Sequence, residues 1–203
     1  MFVKVFDEKT EFFGDAVTGK RVMDHIMSRL LEKNLALGYL VVDGEKVNNG
    51  HAKYIDKHIK EVENIEAFPV TWLEVALQNA EEIRNTLAAF PPIMDVMAED
   101  FRQGVSARGW KEFENMINTF LYVDSGMKGN FSILMSAKKP EYNVAWDRAR
   151  SEYQKLYDVL AKIEKHLKQD FPEKAGDLIQ KKVKPCVEKT VYYLDEMKNV
   201  TEA

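Results

Sequence analysis

Only one cysteine, Cys186, occurs in the 203 residues, so the chain cannot form an internal disulfide. That usage suits a reducing compartment. Basic charge is not in excess: 29 Lys and Arg stand against 33 Asp and Glu, a formal net charge of −4. A nucleic-acid protein draws most of its affinity from neutralising phosphates, and this balance argues against that class. The densest basic run, Lys181-Lys182-Val183-Lys184 with Lys189 beyond it, reads as a solvated helix face with acidic flanks. Six prolines and ten glycines are too few to imply a long disordered segment. The longest apolar run, Leu35 to Val42, is too short to cross a membrane. The opening Met1-Phe2-Val3-Lys4-Val5-Phe6 lacks the basic head and apolar core of a signal peptide. These readings together predict a cytoplasmic protein without nucleic-acid or membrane partners. No internal repeat or low-complexity segment is present.

What is present is ordinary globular material, 45% hydrophobic and 31% charged, enough for a real core. It falls into two textures. In residues 1–70, strand-like and helix-like patterns alternate. Phe2 to Phe6 and Glu11 to Val17 are rich in strand formers, with Asp7-Glu8-Lys9-Thr10 as a polar turn between them. Val22, Ile26, Leu30 and Leu31 recur at helical spacing behind Thr18, a natural N-cap. Leu37 to Val42, the turn Asp43-Gly44 and Glu45-Lys46-Val47 read as a hairpin. Ala52, Ile55, Ile59 and Val62 mark a second helix, and Ile65 to Phe68 a last strand ended by Pro69.

Strand, strand, helix, strand, strand, helix, strand, with the hairpin Val41 to Val47 after the first helix, resembles the β-grasp fold of ubiquitin and the small sulfur-carrier proteins. The likeness covers about a third of the chain and rests on element order. The same region is similar to the front part of a group of uncharacterised bacterial proteins. Carriers of the β-grasp family end in a free Gly-Gly tail, whereas here the last strand runs on through Thr71. No Gly-Gly occurs there or at Val200-Thr201-Glu202-Ala203. The resemblance therefore implies binding, through an exposed sheet face or an edge strand, rather than conjugation or sulfur transfer.

Residues 71–203 read as a helical bundle, making the chain α+β. Thr71-Trp72-Leu73-Glu74 fits a capping box. The helix behind it is expected to stop at Pro91-Pro92. A short helix over Ile93 to Arg102 should close at Gly104, and a further one carries Trp110, Phe113, Ile117 and Phe120 until Gly126 and Gly129 loosen it. Pro140 can start the next helix. In that helix Trp146, Ala149, Tyr153, Leu156, Leu160, Ile163 and Leu167 alternate spacings of three and four, a packing seam suited to an antiparallel bundle. After Phe171-Pro172 a last helix should run from Glu173 to Asn199 with a kink at Pro185.

Gly14-Asp15-Ala16-Val17-Thr18-Gly19-Lys20-Arg21 comes within one residue of a P-loop, but Arg21 stands where a magnesium-holding hydroxyl belongs. The helical remainder leaves no material for a nucleotide-type parallel sheet, and Asp43 is better explained as a turn residue. An anion could still meet the free amides and charges at Thr18, Gly19, Lys20 and Arg21. His51 and His58 share a helix face two turns apart, ~10 Å, too far for one metal ion. His166 and Asp170 could join a metal site only with ligands from elsewhere, and neither H-E-x-x-H nor E-x-x-H occurs. No cofactor, metal or catalytic group is assigned. Cys186 reads as a small core residue.

The expectation is a non-enzymatic cytoplasmic interaction or adaptor protein. It binds a protein partner that the sequence does not identify, or self-associates as a homodimer through Trp146, Tyr153, Leu156, Leu160, Ile163 and Leu167. The alternative is a small-molecule or anion-binding protein, either a plain binder or an enzyme, with its site at the first helix N-terminus or in an aromatic cavity of the bundle.

Overall fold

A computed structural model describes residues 1–14, 16–137 and 140–201; Asp15 of the near-P-loop lies outside them. The fold is α+β, a five-stranded mixed sheet followed by helices. The chain divides into two compact units, Met1–Val75 and Ala76–Ala203.

The first unit runs β1 (Phe2–Val5), β2 (Glu8–Glu11), α1 (Gly19–Glu32), β3 (Ala36–Val42), β4 (Glu45–Val47), α2 (His51–His58) and β5 (Asn64–Val70). The sheet order is β2-β1-β5-β3-β4, with β1 parallel to β5 and the other pairs antiparallel. With α1 placed between β2 and β3 in the chain, the arrangement is β-grasp-like, in keeping with the element order. Alternation along each strand sends Val3, Val5, Leu40, Val42, Ile65 and Ala67 into a core with Val22, Ile26 and Leu30 of α1 and Ile55 of α2.

Two strands differ from the sequence reading. The second strand is the charged Glu8–Glu11, and the aromatic stretch behind it is not a strand. Phe6, at φ 57, lets the chain reverse immediately after β1, so the residues read as a turn become the edge strand. β5 also runs through Pro69 to Val70. β1 pairs with β5 only as far as Ala67, so beyond that point β5 is an edge, where a missing N–H is tolerated.

The second unit continues from α3 (Trp72–Ala88), whose first residues belong to the first unit, into α4 (Phe90–Arg102), α5 (Ala107–Ala137) and α6 (Pro140–Lys168). Then come α7 (Pro172–Leu178), a π-helical segment Ile179–Val183 and α8 (Lys184–Thr201). The capping box forms: Thr71 N–H and hydroxyl donate to Glu74 Oε2 at 2.6 and 2.8 Å, and Glu74 N–H donates back at 3.1 Å. Neighbouring helices run antiparallel. Tyr122 donates to Glu82 and Asn79 to Asn130 between α3 and α5, and Arg148 pairs with Glu196 between α6 and α8.

Three helix boundaries depart from expectation. Pro91 and Pro92 sit in the first turn of α4, where their missing N–H groups have no helical partner to lose. α5 passes through Gly126 and Gly129 unbroken; Gly126 faces Ile83 of α3 at a distance a Cβ would crowd. The last helix is divided by the π-helical segment. There Lys184 N–H, in the residue immediately before Pro185, reaches back five residues to Ile179 O, so the helix widens where the proline could not take a normal bond.

Candidate functional site

At the start of α1, where the sequence offers an anion site, the Gly19 and Arg21 amides have partners within the chain. Thr18 caps the helix, its Oγ1 accepting from Arg21 N–H at 3.2 Å. Gly19 N–H donates to Asp56 Oδ1 of α2 at 2.6 Å, so the protein's own carboxylate occupies the position an anion would take. Gly19 is buried because α2 crosses it closely: a Cβ there would land on the Ala52 carbonyl. Lys20 and Arg21 are exposed, and Arg21 borders a pocket of about 340 Å³ with Thr10, Phe12, Phe13 and His25.

Asp43 is a turn residue. Asp43 and Gly44 have φ of 47° and 89°, and the Asp43 carboxylate accepts from Glu63 and Asn64 N–H groups at 3.1 and 2.7 Å. The outer sheet face, open in the resemblance, carries side chains already paired with one another. Lys4 bonds Glu66 at 2.6 Å, Tyr39 stacks on Phe68 with centroids 4.6 Å apart, and Lys46 lies over Tyr39.

Among the described residues no cluster of three His, Cys, Asp or Glu side chains could hold a metal, and no helix is long and apolar enough to cross a membrane. His51 Nε2 lies 3.1 Å from Val47 O, and His58 Nδ1 lies 3.6 Å from Glu61. Cys186 is half-buried; burial, with the Glu152 carboxylate beside it, pushes its thiol up, away from the reactive thiolate.

The α6 seam is divided between two environments. Trp146, Tyr153, Leu156 and Ile163 are buried within their own unit, and Tyr153 donates to Phe120 O of α5 at 2.5 Å. Leu160 and Leu167 are half-exposed and open into a groove of about 670 Å³ between α5 and α6. Trp110, Phe113 and Ile117 line the opposite wall, with Tyr157, Glu164 and Lys168 on the α6 side. A smaller hollow shares Ile117, Tyr157 and Leu160 and extends the groove to Leu121. Three large side chains stand open to solvent along this strip: Leu121 at 61% exposure, Tyr157 at 47% and Trp110 at 44%. Leu121 and Tyr157 were not singled out from the sequence. The available signal was an apolar stripe wider than a helix needs for one buried face.

The groove contains no strong nucleophile or pair of opposed carboxylates. It offers a large apolar surface with polar edges, which is the chemistry of association. Burial and the hydrogen bond its hydroxyl donates to Asp124 push Tyr157 up to about 12, so it stays a neutral donor at the groove edge. Comparison with protein-family models, with curated proteins and with solved structures finds no match.

Proposed function

We propose that this is a non-enzymatic cytoplasmic interaction protein that binds another polypeptide through the groove between α5 and α6. The observation that carries this reading is the strip Trp110, Leu121 and Tyr157, exposed beside an apolar groove of about 670 Å³. A well-packed bundle does not need those side chains outside, and a helix with an apolar face would cover them. The alternative, an anion or small-molecule site at Thr18, Gly19, Lys20 and Arg21, has weaker support, because Asp56 already satisfies the Gly19 amide.

A photo-crosslinking residue at the exposed Ala161, in the groove wall, tests the reading in the cells that make the protein. The expected result is a covalent adduct containing a second polypeptide, lost when Leu121→Glu is added. An absence of adduct, or an adduct indifferent to Leu121→Glu, counts against it.

A further inference from the structure

Four of the charges that flank the groove, Glu114, Lys128, Arg150 and Glu164, are arranged symmetrically about its exposed centre; Lys168 and Asp124 also lie there, each paired with one of the four. Leu121 of α5 and Tyr157 of α6 line the same hollow, so they mark one level of the antiparallel hairpin. Seven residues before Leu121 is Glu114, and seven after it is Lys128. Seven residues before Tyr157 is Arg150, and seven after it is Glu164. A spacing of seven keeps each of them on the helix face of its central residue, ~10.5 Å along the axis. Because the helices are antiparallel, Glu114 and Glu164 share one end of the strip and Lys128 and Arg150 share the other.

We infer that the groove is covered by a second copy of this chain, related by a two-fold axis that crosses α5 and α6 at the level of Leu121 and Tyr157. The inference rests on the proposed function and names its partner. The axis lies in the interface, perpendicular to the helices, so α5 faces α5 and α6 faces α6 in opposite directions. Glu114 then meets the second copy's Lys128, and Glu164 meets the second copy's Arg150. Each contact occurs twice, as a two-fold requires. The other face-to-face two-fold, with its axis parallel to the helices, brings Glu114 against Glu164 and Lys128 against Arg150. Like charges there oppose that arrangement, so the same pattern favours one geometry and penalises the other.

Apolar side chains and Tyr157 occupy the centre, with the Asp124 carboxylate accepting from the Tyr157 hydroxyl. Leu121 meets its own copy, as does Tyr157, and Ile117, Leu160 and Ala161 surround them. Glu164 now pairs with Lys168, Lys128 with Asp124, and Arg150 lies over Phe131. Both ion pairs are spacings of four within one helix, and Glu164, Lys168 and Lys128 are exposed, so these side chains can exchange or share partners. The strip from Trp110 to Lys128 is ~27 Å long and two helices, ~20 Å, wide. Its footprint is on the order of 500 Å² per copy, at the low end of specific interfaces, so the dimer is a reversible one.

Sedimentation velocity on the full chain, from about 1 to 300 μM, spans the range in which such an interface assembles. Wild-type protein is expected to pass from monomer to dimer across it. Glu114→Lys and Lys128→Glu each place like charges at both symmetric contacts, and each alone weakens the dimer about tenfold or more. Both positions are exposed, so circular dichroism should show an unchanged fold. An equimolar mixture of the two variants restores opposite charges at both contacts and recovers the dimer. A wild-type monomer throughout the range overturns the inference, as does a dimer indifferent to both substitutions or a mixture that recovers nothing. The crosslink at Ala161 separates this failure from failure of the broader reading. An adduct of twice the chain's mass supports the second copy. An adduct with a different polypeptide keeps the interaction reading and removes the homodimer, and no adduct removes both.

Discussion

Gly19 has no side chain because the Ala52 carbonyl stands where a Cβ would go, and its N–H is held by Asp56. The residue that suggested a phosphate-binding loop is thus a point of close approach between two helices. Gly19→Ala should destabilise the first unit by about 1–3 kcal/mol, since backbone rather than a movable side chain must give way. Urea unfolding followed by circular dichroism would show it; an unchanged midpoint would mean that α2 does not approach α1 this closely. Tyr157 offers a second test at the same scale. Its native hydroxyl titrates near 12, above the ordinary 10 of an unfolded chain. The unfolded state therefore releases this proton first as pH rises. Its contribution to stability is complete below pH about 10 and is lost as pH climbs through about 12. In a spectrophotometric titration, Tyr157→Phe should remove a transition centred near 12. Retention of that transition would assign it elsewhere.

At the scale of elements, α4 is tied to the end of α7 and to the π-helical segment and α8 by carboxylates. Asp95 accepts from Lys184 at 2.6 Å, and Asp177 takes Lys181 at 3.0 Å and Arg102 at 2.9 Å. The hydrogen bond from Lys184 holds Asp95 below its ordinary value, and those from Lys181 and Arg102 hold Asp177 below its own. Folded values lower than unfolded ones stabilise above pH about 4, and that support is lost as pH falls through the depressed folded values. The variant Asp95→Asn with Asp177→Asn should be less stable than wild type at neutral pH, with the gap closing below pH about 4. A gap independent of pH would show that the ties are not electrostatic. This region also shows what was legible beforehand. The break at Pro185 could be read from one residue, but not its form, because widening a helix by one residue depends on what packs against it. Gly126 misled for the same reason: its intrinsic cost in a helix is outweighed by the close approach of Ile83. The capping box at Thr71 and the Asp43-Gly44 hairpin were legible because both are closed within a few residues. In α6 the spacing of threes and fours marks Trp146, Tyr153, Leu156 and Ile163 as part of a packing seam, and these four are buried. Spacing alone does not say which chain buries them, and four of the six candidate seam residues are covered by their own bundle. The exposed strip lies one step around the helix, at Tyr157 and Ala161.

At the scale of the whole molecule, a five-stranded-sheet unit and a helical unit each have their own core, and the helical one keeps a large apolar strip outside. Leu121, at 61% exposure, is the most open of the strip's large side chains and contributes little to the folded chain by itself. If the strip exists to bind a polypeptide, Leu121 is covered whenever the protein is at work. Thiol labelling can see this. In a Cys186→Ala background, Leu121→Cys should react rapidly with a maleimide in dilute purified protein and at least tenfold more slowly in intact cells, using a labelled Lys174→Cys as the exposed reference. Equal protection of the two positions in the cell would mean that nothing covers the α5–α6 face and that its apolar side chains are not a binding surface.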